Sequence, residues 1–236
     1  MEIPKISGEL QTRIISAGIL APVVLYIIWL GGAAFSSLVV LMAVIMSFEW
    51  CGIINNDSPL AQGIDDKHKK KWLNYGIAYV AIFASSLLYL RNYGAEEGKD
   101  GGAGIVLVML LMVWATDIAA YFAGRLIGGP KIYPAISPNK TWAGLLGGMV
   151  AAGLVGMALS VLINFGVFTM FFIGALTAVI AQAGDFLESW IKRKFGVKDS
   201  GNIIPGHGGI MDRMDGFVTV APLFVIFVLL YGNRLI

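Results

Sequence analysis

Seven apolar segments dominate this chain of 236 residues, and each is long enough to cross a lipid bilayer. A membrane-spanning helix needs about 20 consecutive, mostly apolar residues, within a range of about 17–25. The sequence therefore predicts an all-α, polytopic transmembrane helix bundle with about seven membrane-spanning helices. We expect them near residues 14–30, 34–54, 72–90, 104–124, 142–163, 168–189 and 217–233.

Composition agrees with this class. Hydrophobic residues make up 57% of the chain and charged residues 14%, whereas soluble domains carry about 25% charged residues. Apolar segments extend along the whole chain, so residues 1–236 are expected to form a single integral membrane domain. A net charge of +2, without a basic helix or an aromatic platform, argues against a nucleic-acid partner. The lone cysteine, Cys51, is expected to be an apolar filler.

The placement of basic residues predicts the orientation in the membrane. If the N-terminus is cytoplasmic, the cytoplasmic segments hold all of the 17 Lys and Arg residues except Arg91, Lys99 and Arg234. Such a bias toward the inside is typical of membrane proteins. It predicts a cytoplasmic N-terminus and places the two loops richest in motifs, 125–141 and 190–216, together on the cytoplasmic face.

Polar residues at the end of the sixth segment form the first candidate cluster. Asp185, Glu188 and Ser189 are spaced i, i+3 and i+4, so on a helix they share one face. Carboxylates near a membrane usually face a polar cavity. The alternative interpretation is that Asp185 and Glu188 only mark where the helix leaves the lipid.

A glycine-rich stretch before the last segment forms the second cluster, with His207, Gly208 and Gly209 followed by Asp212 and Asp215. Glycines let backbone N–H groups approach a phosphate closely. Asp212 and Asp215 could face one metal ion if a helix begins there, and His207 could donate to a phosphate. A solvated turn is the alternative.

Two further motifs precede these clusters. Asp117 falls inside an apolar segment, where a carboxylate is costly and an idle role is therefore less expected. In the stretch 137–142, Ser137 or Asn139 could cap the fifth helix and place Lys140 in its first turn. A lysine at a helix start opposes the helix dipole unless an anion binds there. An ordinary cytoplasmic lysine is the alternative.

The residues from Ser189 to Asp215 resemble the signature of the phosphatidate cytidylyltransferases, also called CDP-diacylglycerol synthases. The matching string includes Lys192-Arg193, Lys198-Asp199, His207-Gly208-Gly209 and Asp212-Arg213-Met214-Asp215. The stretches 117–125 and 137–142 resemble two further motifs of that family, in the right order. The resemblance covers about residues 110–232, with the catalytic motifs concentrated in 110–216. The family usually has Glu where Ala143 stands, so no role is assigned to that position.

The resemblance implies a membrane enzyme that joins CTP to phosphatidate, releasing pyrophosphate. It implies a site facing the cytoplasm at a bacterial plasma membrane, with the lipid tails left in the bilayer, and a homodimer. It also implies Mg²⁺ as cofactor, with K⁺ as a candidate second cation. The implied metal ligands are Asp185 and Asp212, followed by Asp215 and Asp117. Asp185, Asp212, Lys198 and Asp215 are the implied catalytic residues. Substrate binding is assigned to Ser137, Lys140, Lys192, Arg193, His207, Gly208, Gly209 and Arg213.

Two other functions compete with this one. A CTP-dependent polyprenol or phytol kinase would also use a cytoplasmic nucleotide site, although it would not be expected to carry the whole string. A transporter could use Asp117 and Asp185 along an ion pathway. Transporters commonly show repeats and broken helices near the midplane, whereas the polar residues here gather at one face.

Overall fold

The computed structural model describes residues 8–94, 101–204 and 208–232. In these ranges the chain forms α1 (Gly8–Leu30), α2 (Gly32–Ile54), α3 (Pro59–Gln62), α4 (Asp66–Asn92), α5 (Gly101–Leu126), α6 (Trp142–Leu159), α7 (Val167–Lys194) and α8 (Met211–Tyr231). A 3₁₀ turn, Ser160–Ile163, continues α6. Outside the helices, two isolated β-bridges pair Lys131 with Thr141 and Ile204 with Gly208.

Within the described ranges, six helices are long and apolar enough to cross a membrane: α2, α4, α5, α6 with its 3₁₀ turn, α7 and α8. In α1 the apolar stretch described is shorter, Gly18–Leu30. The predicted class of a polytopic helical bundle is therefore confirmed, and α1 together with these six helices corresponds to the seven predicted segments.

Four predicted helix ends are wrong by five or six residues. The helix α1 begins at Gly8 rather than at 14, and α4 begins at Asp66 rather than at 72. The segment expected to end at residue 189 continues to Lys194, and the last helix begins at Met211 rather than at 217. Hydropathy marks only the apolar part of a helix. It therefore misses the terminal turns whose side chains are charged, although the helical backbone continues through them. As a result Lys192 and Arg193, and likewise Asp212 and Asp215, lie on helices rather than in a loop.

Close backbone contact holds α5, α6 and α7 together. A Cβ atom at Gly174 of α7 would collide with the carbonyl oxygen of Ala152 in α6. A Cβ atom at Gly144 of α6 would lie 2.9 Å from the carbonyl oxygen of Ala120 in α5. Small residues at such crossings allow membrane helices to approach closely. The crossings fix the relative positions of α5, which carries Asp117, of α7, which carries Asp185, and of α6, which Lys140 precedes.

One end of the bundle contains the connections 55–65 and 127–141 and the described residues 195–204 and 208–210, and we call it the polar face. The carbonyl oxygen of Phe195 accepts hydrogen bonds from Asn56 Nδ2 at 2.9 Å and from Ser58 Oγ at 2.6 Å. Lys140, from the second connection, pairs with Asp185 near the end of α7. The two motif-bearing loops therefore lie at the same end, as predicted.

At the opposite end, Arg91 closes the hairpin between α1 and α2. Its Nε donates to the carbonyl oxygen of Ile28 at 2.7 Å, and Nη2 donates to that of Trp29 at 3.2 Å. These carbonyls belong to the last turn of α1, where a cation is favourable. Arg91, which the sequence analysis assigned to the outer side of the membrane, is buried at this end.

Candidate active site

The last two turns of α7 carry a row of polar side chains that face the other elements of the polar face. Ser189 Oγ donates to Asp185 Oδ1 at 3.3 Å, and Lys192 Nζ lies 3.0 Å from Glu188 Oε1. Both pairs are spaced i, i+4, the separation at which helical side chains meet. Glu188 is only 1% exposed. It therefore belongs to a buried ion pair and does not merely mark the exit from the lipid.

Lys140 occupies a different position from the one expected. Thr141 is the N-cap of α6, because its side chain accepts a hydrogen bond of 3.0 Å from the Gly144 N–H. Lys140 thus precedes the helix instead of lying in its first turn, and neither Ser137 nor Asn139 is the cap. The Lys140 ammonium pairs with Asp185 Oδ2 and lies 4.6 Å from the centre of the Phe186 ring. This cation is therefore held at the N-terminus of α6.

Asp117, Asp185 and Asp215 form a group of carboxylates from three helices, α5, α7 and α8. Asp117 interacts with the charge of Asp185, and Asp215 interacts with the charges of both. Lys140 acts on Asp117 and Asp215 with the opposite sign. Arg213 acts on Asp117 in the same way as Lys140, so three carboxyl groups lie near two cations, and their oxygens are suited to bind a further cation.

Asp212 lies in the first turn of α8, with its carboxylate surrounded by donors. Lys192 Nζ lies 2.6 Å from Oδ1, and the Ser200 N–H donates to both oxygens at 3.1 and 2.9 Å. The Gly209 N–H donates to Oδ2 at 3.0 Å. Gly208 has a φ of +85°, a conformation that favours glycine and helps to turn this loop toward Asp212. The Asp212 carboxylate therefore holds the glycine-rich loop against α7.

Glu49 was not singled out from the sequence, yet it is buried at the centre of this arrangement. Its Oε1 accepts a hydrogen bond of 2.8 Å from the Ile210 N–H, and its Oε2 accepts one of 2.7 Å from the Met211 N–H. Ser200 Oγ donates to Oε2 at 3.2 Å. Glu49 thus satisfies N–H groups at the start of α8, where an anion is favourable. The only feature of the sequence that could have indicated this role is a carboxylate near the end of an apolar segment.

The remaining predicted residues occupy varied positions. Lys198 and Arg213 are exposed at the polar face, and Arg213 interacts with the charge of Asp117. Arg193 is exposed and donates from Nη1 to the Val197 carbonyl oxygen at 3.0 Å. Ser137 is half-buried, and its N–H donates to the Tyr133 carbonyl oxygen at 3.1 Å. His207 lies outside the described residues.

The oxygen donors of the carboxylate group match the chemistry of a hard divalent cation. In the part of the chain that the structure describes, no three Asp, Glu, His or Cys side chains converge to form a complete metal site. Mg²⁺ does not need one, because it usually binds one or two carboxylates together with substrate phosphates and waters. Asp185 fits that requirement better than Asp212, whose two oxygens already accept from Lys192 and from backbone N–H groups.

Comparison with known proteins shows similarity to phosphatidate cytidylyltransferases along most of the chain. The "Phosphatidate cytidylyltransferase" of Brucella suis biovar 1 is 34% identical over 257 residues, covering 93% of each chain. That of Rickettsia bellii is 34% identical over 228 residues, covering 93% of this chain and 90% of its own. That of Staphylococcus saprophyticus is 42% identical over 149 residues, covering 62% and 54%.

The similarity therefore extends well beyond residues 110–232, which carry the motifs that resemble the family. Residues 60–231 match the cytidylyltransferase family. This range runs from α3 to the end of α8 and contains Asp117, Lys140, Asp185 and Asp212, whereas Glu49 precedes it. The chain is thus an enzyme rather than a transporter, and it belongs to the cytidylyltransferase family of nucleotidyltransferases.

Proposed function

We propose that this chain transfers the cytidylyl group of CTP to phosphatidate, giving CDP-diacylglycerol and pyrophosphate. A phosphate oxygen of phosphatidate attacks the α-phosphorus of CTP, and the bond from that phosphorus to the bridging oxygen of the β-phosphate breaks. The match of residues 60–231 to the cytidylyltransferase family, which includes α4 to α8, carries this proposal. Relatives named phosphatidate cytidylyltransferase, similar along 90% or more of both chains, support the lipid as acceptor.

The reaction requires positioning and charge neutralisation rather than a covalent nucleophile. Lys198 and Arg213, both exposed at the polar face, are suited to bind phosphate oxygens of CTP or of the lipid. Lys140, which pairs with Asp185, would also bind a substrate phosphate. The phosphate would lie at the N-terminus of α6, a position that favours anions. Lys192 and Asp212 instead hold the loop 200–209 in place, with Glu188 as the second partner of the lysine.

We further propose Mg²⁺ as the cofactor, with Asp185 as its principal ligand and Asp117 and Asp215 beside it. When bound, the ion would neutralise the phosphate oxygens between the substrates. Asp212 would contribute by orienting Lys192 and the backbone of Ser200 and Gly209. A second cation such as K⁺ would offset the negative charge that remains on Asp117, Asp185 and Asp215.

The site is proposed to face the cytoplasm of a bacterial plasma membrane, where CTP is available. The support is the bias of Lys and Arg toward the segments on that side. A homodimer is proposed from the family resemblance.

The test is purified protein in detergent with CTP, dioleoyl phosphatidate and Mg²⁺, scored for a CDP-lipid and for pyrophosphate. We expect both products in equal amounts. Polyprenol and phytol in place of phosphatidate serve as acceptor controls for the kinase alternative. Formation of a phosphorylated alcohol and CDP, with no CDP-lipid from phosphatidate, would overturn the proposal.

A further inference from the structure

An apolar cavity of about 420 Å³ lies beside the polar site, enclosed by α1, α2, α4, α5 and α8. Its volume falls in the range of ligand pockets, about 300–1,000 Å³. Along α1 it extends from Leu20 to Ile28, which is about 12 Å at the rise of an α-helix. The cavity is therefore long, and it runs from the level of the polar face toward the opposite end of the bundle.

A single charged residue, Arg213, contributes to the cavity wall in the described part of the chain. Ile204, Ile210 and Met214 line the same end, so this mouth lies beside the glycine-rich loop and the first turn of α8. Arg213 also interacts with the charge of Asp117. At the far end the wall is aliphatic and aromatic, with Ile28, Phe35 and Leu87.

A cation at the mouth of a long apolar cavity matches an anionic headgroup that carries an aliphatic tail. The nucleotide does not match, because its base, ribose and phosphates would lose their hydrogen bonds with water among apolar side chains. Leu20, which lines the cavity from α1, remains 45% exposed, so this side is not sealed against lipid. A tail could therefore enter sideways from the bilayer.

We infer that this cavity binds one acyl chain of the phosphatidate, with the lipid phosphate held at the Arg213 end. The inference rests on the proposed function and adds to it. The expectation that both tails stay in the bilayer is replaced by one tail withdrawn into the protein between α1 and α5. The cavity wall, rather than the polar site, would then set the acyl-chain preference.

The experiment fills the cavity and compares two phosphatidates. Val106 lines the cavity and is buried, and Ala21 lines it from α1. Val106→Phe and Ala21→Phe each place a ring in the void from a different helix, so the test does not depend on one variant folding. Val40→Phe makes the same change as Val106→Phe at a position of α2 that is 56% exposed, and it is the matched control.

For each purified protein the measurement is KM for dioleoyl and for dihexanoyl phosphatidate, at saturating CTP. A methylene moved from an apolar cavity into water weakens binding by about four-fold, and the loss is smaller where the displaced methylene enters the detergent micelle, which is itself apolar. Loss of space for two methylenes should therefore raise the ratio of the dioleoyl to the dihexanoyl KM by up to about 15-fold in Val106→Phe and Ala21→Phe. Val40→Phe should leave the ratio unchanged. Without CTP, dioleoyl phosphatidate should raise the melting temperature of the wild type and of Val40→Phe more than that of the filled variants.

The outcomes separate the two claims. A wild-type protein that forms no CDP-lipid from either phosphatidate refutes the proposed function. An active wild type, with the same KM ratio and the same lipid-induced stabilisation in all three variants, refutes the cavity assignment alone. If one filled variant does not fold, the other decides. If neither folds, thermal stabilisation of the wild type by dioleoyl phosphatidate no greater than that by dihexanoyl phosphatidate overturns the assignment.

Discussion

The Glu49 carboxylate accepts a hydrogen bond of 2.7 Å from the backbone N–H of Met211, a residue 162 positions further along the chain. This contact joins the end of α2 to the first residue of α8. The first two turns of α8 carry Asp212 and Asp215, so Glu49 fixes the start of the helix that presents both carboxylates. The N-terminal hairpin therefore takes part in positioning the site, although Glu49 lies outside the range matched to the family.

Replacement of Glu49 by Ala should destabilise the protein and lower kcat. Two backbone N–H groups and the Ser200 hydroxyl would lose their acceptor, and a buried donor left unsatisfied costs about 1–3 kcal/mol. Glu49→Gln keeps an acceptor oxygen and should retain more stability and activity. Thermal unfolding in detergent and steady-state kinetics measure both effects.

The control is Ser47→Ala on the same helix, where the hydroxyl donates only within α2, to the Ala43 carbonyl oxygen. If Glu49→Ala matched Ser47→Ala in melting temperature and kcat, Glu49 would have no positioning role. A fall in kcat that exceeds any change in KM for CTP would distinguish misplacement of the site from loss of nucleotide affinity.

Lys192→Met should be among the most damaging substitutions at the polar face. It leaves Glu188 and Asp212 without their shared cation, and removal of one partner from a buried ion pair costs about 3–5 kcal/mol. Adding Glu188→Gln removes one uncompensated charge, so the double variant should regain part of the lost stability. The measurement is a double-mutant cycle by thermal or denaturant unfolding in detergent. Lys194→Met, at an exposed residue two positions away, is the control. Equal melting temperatures for the two single variants would contradict the structural role.

Lys140→Ala and Lys198→Ala should reduce activity while the protein still inserts and remains monodisperse. Lys198 is exposed, so its loss should raise KM for CTP or phosphatidate without changing the melting temperature. Lys140→Ala also releases Asp185 from its ion pair, so it should lower kcat as well. Lys67→Ala, an exposed lysine at the start of α4, is the control. Normal turnover in both variants would show that Lys140 and Lys198 have no role in substrate binding and are ordinary cytoplasmic lysines.

Asp185→Asn and Asp212→Asn should each abolish most cytidylyl transfer, for different reasons. Asp185→Asn removes a proposed Mg²⁺ ligand, so residual activity should need more Mg²⁺ or lose its Mg²⁺ dependence. Asp212→Asn removes the partner of Lys192 and should also lower the melting temperature. Initial rates across a Mg²⁺ titration, with thermal unfolding of each variant, distinguish the two. Wild-type rates with an unchanged Mg²⁺ requirement in Asp185→Asn would rule out Asp185 as a ligand.

The proposed orientation can be tested with single cysteines in a Cys51→Ala background. Asn202 is exposed in the glycine-rich loop of the polar face, and Gly166 is exposed in the connection between α6 and α7 at the opposite end. A membrane-impermeant maleimide added to intact cells should label Gly166→Cys but not Asn202→Cys. Both should react after the membrane is permeabilised. Labelling of Asn202→Cys but not of Gly166→Cys in intact cells would show that the topology is the reverse of the proposed one.

The sequence by itself determined the class of the molecule and the end of the bundle at which its chemistry lies. Apolar runs of bilayer length predict helices from local composition alone. The i, i+4 spacing of Asp185 with Ser189 is likewise a local property, and the two side chains, predicted to share a helix face, form a hydrogen bond. The motifs and their order were enough to identify the family, because a motif is recognised from the residues along the chain without knowledge of distant contacts.

Tertiary structure alone decided which charges meet. The sequence assigned both Lys140 and Lys192 to substrate phosphates, but packing pairs Lys140 with Asp185 and Lys192 with Asp212. The pair of Lys192 with Glu188, spaced i, i+4, is local. Glu49 gave no motif signal, and its role follows from the distant N–H groups of Ile210 and Met211. The reason is physical: a buried carboxylate must find donors wherever helix packing brings them, and contacts between residues far apart in sequence depend on that packing rather than on local pattern.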